Sequence, residues 1–255
     1  MMTDMPLYEF DPDDKAIINP GGDNPKRIEG AECCVLCFFK EVVDKAVREW
    51  GAVQIYAHKT EMGYHPVYRM AHKGRSISFL LSGVGAPLAA GLFDETIALG
   101  FTKFVACGGA GSLRAETEVG AIVIPSSALR DEGTSYHYRP PSRHIDLDEA
   151  VVAKLALTLE RRGVPHVVGR TWTTDAFYRE TKGKIESRMA EGCLTVDMEC
   201  AAFAAVAAFR KVSFGQYLYC GDDVSGDAWD QRGWESRFDI RENLFWLAVE
   251  ACLAL

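Results

Sequence analysis

Short runs rich in β-branched and aromatic residues alternate with helix-spaced apolar patterns along most of this 255-residue chain. Few folds accept that alternation. Strands separated by helices pair in parallel, and the helices cover both faces of the sheet. Strands are expected at Val53–Ala57, Val67–Ala71, Ile77–Leu81, Phe104–Cys107, Ala121–Pro125, His166–Arg170, Leu194–Val196 and Gln216–Cys220. Helices are expected from Pro87 to about Leu99, and over Asp148–Arg162, Glu180–Glu191, Met198–Arg210 and Trp234–Leu255. Another is expected where Val35, Phe38, Phe39, Val42, Val43, Ala46 and Trp50 recur at helical spacing before Gly51. Residues 126–147 read as one long polar loop, of the kind that lines a site or a subunit contact. The first 27 residues read as irregular. The expected fold class is α/β: one three-layer α/β/α domain over residues 1–255, with a central mixed, mostly parallel twisted sheet.

Composition narrows the partners. A formal charge of −8 argues against nonspecific binding to nucleic acid or an anionic membrane. No apolar run approaches the roughly 20 residues of a membrane span. The start, MMTDMPLYEFDPDD, lacks the basic and apolar regions of a secretory signal. Eight cysteines without such a signal read as reduced buried thiols in the cytoplasm. Cys33, Cys34 and Cys37 have no second Cys/His pair at zinc spacing, so no metal is expected.

Chemistry is expected where strands end. Phe104–Cys107 runs into Gly108, Gly109, Ala110, Gly111 and Ser112, side-chain-poor backbone whose amides suit an anion, or simply a tight loop. Ser82-Gly83-Val84-Gly85 lacks the third glycine of a dinucleotide fingerprint, since Pro87 and Leu88 fill that stretch. Asp197 and Glu199 open an alanine-rich helix with no charge before Arg210. Asp197 reads as its cap; Glu199 either favours the helix dipole or grips two adjacent sugar hydroxyls. Asp222 and Asp223 leave a strand into an acidic loop, and Asp223 is the candidate proton donor beside the alternative of a solvated turn. Trp172 and Phe177 follow another strand and would either sandwich a flat heterocycle or fill the core. His65, His137 and Tyr138 are expected in loops, as surface residues.

Together these segments resemble the nucleoside phosphorylase family, from about Asn19 to Arg232 and in family order. Pro20-Gly21-Gly22-Asp23-Asn24-Pro25-Lys26-Arg27 resembles the G-D-P-x-R phosphate loop with one residue inserted, and Ser82–Pro87 the G-[IM]-G-x-P turn. Gly108–Gly111 resembles the central glycine motif; Asp131–Tyr138 and Asp175-Ala176-Phe177-Tyr178 are similar to loops of the uridine branch; Val196-Asp197-Met198-Glu199 is similar to the V-x-M-E ribose motif. The resemblance implies roles. Gly22, Arg27, Gly109 and Ala110 would hold phosphate; Met198, Glu199 and His65 the ribose; Phe177, Trp172 and Asp223 the base; Glu199 and Asp223 would be catalytic. It implies phosphorolysis of a purine or pyrimidine nucleoside with inorganic phosphate as co-substrate, no cofactor, and a homo-oligomer, either a dimer or a trimer of dimers. The chain departs from the pattern at Ala106, where phosphorylases of this group carry an arginine, and at Thr181 and Gly183, near which the uridine branch places Gln and Arg. Hydrolysis by water, as in the related nucleosidases, and nucleoside binding without turnover are the alternatives.

Overall fold

The computed structural model describes residues 5–22 and 25–255. Ten strands join one sheet. They are β1 Cys33–Cys37, β2 Val53–Thr60, β3 Gly63–His72, β4 Arg75–Leu81, β5 Lys103–Ser112, β6 Ile122–Asp131, β7 His144–Asp146, β8 His166–Thr174, β9 Cys193–Asp197 and β10 Ser213–Asp223. Seven α-helices accompany them: α1 Lys40–Glu49, α2 Ala86–Ala98, α3 Ser135–Tyr138, α4 Glu149–Arg161, α5 Lys182–Ala190, α6 Cys200–Arg210 and α7 Phe238–Ala254. The sheet is mixed. Pairs β1–β4, β1–β5, β5–β10, β6–β8 and β8–β9 are parallel; β2–β3, β3–β4, β5–β9, β6–β7 and β6–β10 are antiparallel. The parallel ladders are the longer ones, while hairpins build the β2–β3–β4 wing and β9 turns back along β5.

Strand β10 shows how the layers form. Phe214 packs against Phe93 of α2 and Phe203 of α6. The next residue, Gly215, faces Leu155 and Val151 of α4, and the Tyr217 hydroxyl donates to the Leu155 carbonyl at 2.8 Å. Alternate residues thus bury against helices on opposite faces. Among the described residues no helix is long and apolar enough to cross a membrane.

Three expectations from the sequence are corrected. Val35 does not begin a helix: Cys33–Cys37 is a strand buried at every position, and the helix starts only at Lys40. A short run that is apolar on all sides carries no periodicity to separate strand from helix. The glycines after Cys107 are no loop, since β5 continues through them to Ser112. Residues 126–147 are ordered as the end of β6, then α3 and β7.

Candidate active site

Strand β5 changes partners along one edge. Its first half pairs with β1 as far as Cys107, whose carbonyl accepts the Phe38 N–H at 3.2 Å. From Gly111 the same edge pairs with β9, and the Leu113 N–H donates to the Leu194 carbonyl at 3.0 Å. Backbone polar groups alternate between edges along a strand. Gly109 lies between these two partners in that alternation, so it turns its amide to the same edge, where neither β1 nor β9 reaches it. It is solvent-exposed there.

The other glycines serve packing. A Cβ at Gly108 would stand 3.0 Å from the Phe38 ring, one at Gly109 3.1 Å from the Tyr219 ring, and one at Gly111 2.9 Å from Val196. The run that suggests an anion cradle is mostly room for neighbouring side chains, with one bare amide at the break.

Glu199 spans the ends of these strands. In the sheet, β9, β5, β1 and β4 are successive neighbours. Glu199 follows β9, and its Oε1 accepts the N–H of Gly85, beyond β4, at 2.6 Å. Gly85 has φ +93°, a conformation that favours glycine, and it starts α2. Glu199 is only 6% exposed, and no cation pairs with it among the described residues. Burial, followed by the charge of Asp197, pushes its pKa up to about 8; the Gly85 and Met198 amides act the other way. Asp197 has a different task. Its Oδ2 accepts the N–H groups of Glu199 at 3.1 Å and Cys200 at 2.7 Å, and its Oδ1 accepts the hydroxyls of Thr171 and Thr173. It caps α6 and aims Glu199.

Acids surround the break. Asp175 accepts the Gly133 N–H at 2.9 Å, and its charge reaches Glu199. Glu132 is buried, which raises its pKa, and its Oε1 has no hydrogen-bond partner among the described residues. Among the described residues no ion pair answers Asp175, Glu132 or Glu199.

The remaining expected residues scatter. Gly22 and Arg27 are exposed, on a segment tied to the far end of α2: Gly21 N–H donates to the Glu95 carboxylate at 3.1 Å and Ile28 N–H to the Leu99 carbonyl at 2.9 Å. Glu95 lies ten residues beyond Gly85, about 15 Å along the helix. The chain enters β1 after this segment, so the structure does not bring Gly22 and Arg27 to Glu199. Asp23 and Asn24 of the same motif lie outside the described residues. Trp172 has no exposed surface; its indole N–H donates to Asp131 at 3.0 Å, and its ring packs with Leu129, Ile185 and Val196. It is core and offers no face to a base. Asp223 is buried, ion-paired to Arg232, with its other oxygen accepting the Ser225 N–H at 2.7 Å. Both carboxylate oxygens of Asp223 thus have partners. Ala110 is buried in β5, Met198 is half-buried beside Glu199, and Phe177 is 50% exposed with its ring against Tyr178. His65 lies on the β2–β3 hairpin, 3.0 Å from the Thr60 hydroxyl.

The family model for the phosphorylase superfamily matches residues 32–243, the span holding both the β5 break and Glu199. The chain belongs to the phosphorylase superfamily. A guanosine phosphorylase of Halorubrum lacusprofundi is 27% identical over 178 residues, 70% of this chain and 73% of the relative. A uridine phosphorylase of Thermococcus kodakarensis is 33% identical over 127 residues, 46% of this chain and 44% of the relative. The crystal structure of uridine phosphorylase from Vibrio fischeri has a TM-score of 0.72 at 18% identity, covering 94% of this chain and all of that one, which shows a shared fold.

Two residues of this superfamily member escaped the sequence reading. A bulge in β10 sets Asp222 opposite Gly111, its Oδ1 3.7 Å from where a Gly111 Cβ would stand. Asp222 also accepts the Trp229 indole N–H at 2.7 Å. Glu180 is half-buried at the end of the Phe177–Arg179 turn, and burial and Asp222 push it up to about 7. The doublet Asp222-Asp223 was the only signal, and nothing in it told which acid the bulge would turn inward. Two surface cavities of about 430 and 490 Å³ lie elsewhere, lined by neither Glu199, Gly85 nor Gly109.

Proposed function

We propose that this protein cleaves the N-glycosidic bond of a nucleoside, with inorganic phosphate as acceptor, releasing free base and a pentose 1-phosphate. The observation that carries the reading is Glu199: a buried carboxyl that pairs with no cation among the described residues, across the ends of β5 and β1. Two adjacent hydroxyls of a pentose supply the donors that such a group lacks. Held that way, the sugar presents C1′ to the bare Gly109 amide, a fixed donor for an incoming oxygen. Membership of the phosphorylase superfamily and relatives named guanosine and uridine phosphorylase support the same chemistry. Phe177 packs on the base. No metal or organic cofactor enters the scheme. The apolar residues Met62, Tyr64 and Val84, exposed beside His65 and Gly85, suit the contact of a homo-oligomer.

A second reading, hydrolysis by water, is favoured by the electrostatics. Ala106 is buried where a cation would be needed, Arg27 is remote, and the acids around the break repel a phosphate dianion. The experiment is a panel of purine and pyrimidine nucleosides incubated with and without phosphate. Base release that requires phosphate and yields pentose 1-phosphate supports phosphorolysis. Free pentose at an undiminished rate without phosphate establishes hydrolysis. No release from any nucleoside rejects both.

A further inference from the structure

We propose that the Tyr219 hydroxyl is the second donor for the incoming acceptor oxygen, beside the Gly109 amide, with Arg241 as the positioning residue behind it; this rests on the nucleoside reading above. Gly109 of β5 and Tyr219 of β10 are register partners in neighbouring parallel strands. The Tyr219 ring leans over Gly109. From the place of a Gly109 Cβ, its Cε1 is 3.1 Å away, its Cζ 3.4 Å and its hydroxyl oxygen 3.5 Å. The other edge of the ring lies over Gly221, where a Cβ would stand 3.3 Å from Cε2. Two glycines therefore give this ring its place. A Cβ position is about 2.5 Å from its own amide nitrogen, so the hydroxyl and the bare Gly109 amide are at most about 6 Å apart. A water oxygen, or two oxygens of one phosphate, set between them accepts from both at ordinary hydrogen-bond lengths of about 2.8 Å.

Arg241 decides where the hydroxyl proton points. Its Nε donates to the Tyr219 oxygen at 3.3 Å. A guanidinium accepts nothing, so the Tyr219 hydrogen cannot turn toward it. Among the described residues no other group accepts that hydrogen. Tyr219 is buried while Gly109 is exposed, and a buried O–H without an acceptor is costly. An oxygen arriving at the break supplies the missing partner. Arg241 is itself locked: Nη1 donates to Glu41 at 2.7 Å, Nη2 donates to the Trp234 carbonyl at 2.8 Å, and the guanidinium lies 5.6 Å from the ring centres of both Phe39 and Trp234. The Phe39 ring also flanks Tyr219, at 6.0 Å. The donor is thus fixed before the acceptor arrives. Glu41 balances the Arg241 charge, so the hydroxyl reaches the break as a neutral donor, suited to phosphate or to water.

In the step itself the C1′–N bond breaks and its electron pair passes to the base, while a lone pair of the acceptor oxygen bonds to C1′. Tyr219 keeps its proton throughout. The acceptor gives up one proton and the base gains one, so no further reactant is needed.

The test uses the full-length chain as wild type, Tyr219→Phe, Arg241→Met and the double variant, each checked for folding by circular dichroism, on whichever nucleoside the wild type cleaves. If phosphate is the acceptor, Tyr219→Phe is expected to lower kcat/KM for phosphate by about a hundredfold, with nucleoside KM within about twofold. If water is the acceptor, kcat falls by a similar factor at the same nucleoside KM. Arg241→Met is expected to show a smaller loss in the same parameter. The double variant should be no worse than Tyr219→Phe alone, because Arg241 acts through the hydroxyl. Should Tyr219→Phe not fold, Arg241→Met is read in its place and must show the same selective loss. A folded Tyr219→Phe that keeps its rate within about threefold, or changes only nucleoside KM, overturns the assignment while the nucleoside reading stands. Additive losses in the double variant overturn the role of Arg241. A wild type that cleaves no nucleoside overturns this proposal and the nucleoside reading together.

Discussion

A buried carboxyl with no cation beside it destabilises a fold as soon as it ionises, so Glu199 leaves a signature in stability as well as in catalysis. Its folded pKa of about 8 lies above its ordinary 4.5. The unfolded chain therefore ionises first, and stability present below pH 4.5 is lost progressively up to pH 8, by as much as about 5 kcal/mol. Glu199→Gln is expected to flatten that decline. Thermal melts of wild type and variant between pH 5 and 8 check it, and parallel curves would reject the buried-acid assignment. The same variant should lower kcat/KM for the nucleoside by about a hundredfold or more, since a slightly misplaced sugar already costs that much. Gly109 makes a second case. Alanine there meets the Tyr219 ring at 3.1 Å. Gly109→Ala is expected to cost about 1–3 kcal/mol as the ring moves, read as a lower midpoint in urea.

At the scale of elements, α6 is aimed by Asp197. Its carboxylate collects two backbone amides and two threonine hydroxyls from β8, binding the helix start to the neighbouring strand. Asp197→Ala strands these buried donors and is expected to cost about 3–5 kcal/mol, with nucleoside cleavage lost in the fraction that remains folded. Unchanged chemical denaturation would show that the cap is dispensable. The same element shows how much was legible beforehand. The alanine-rich run and the two acids before it marked both the helix and the ribose candidate. The division of labour between Asp197 and Glu199 was half visible, because a cap is a local pattern and a sugar grip is not. β1 was misread as helix because burial on all sides erases the two-residue alternation. The end of β10 was misjudged because a bulge exchanges the facing of successive residues, so Asp222 rather than Asp223 turns toward Gly111.

Across the whole molecule the eight cysteines are free and buried, distributed through β1, β5, β9, α6, β10 and α7. A thiol reagent should find almost none of them in the native protein and all eight after denaturation. Rapid reaction of several thiols in the native state would contradict the packing. The acids at the β5 break belong to this scale too, since they come from segments far apart in sequence: Glu132, Asp175, Glu199 and Asp222. Alternating strands and helices, glycines at strand ends and the V-D-M-E segment were enough, read along the chain, to determine an α/β fold and its superfamily, because each is a short-range pattern of side-chain size and polarity. Which glycine keeps a bare amide, which aspartate is already paired and which loop reaches Glu199 were decided only when β9 turned back along β5 and β10 bulged. Those outcomes depend on what packs against each residue from across the sheet, and no local spacing encodes that.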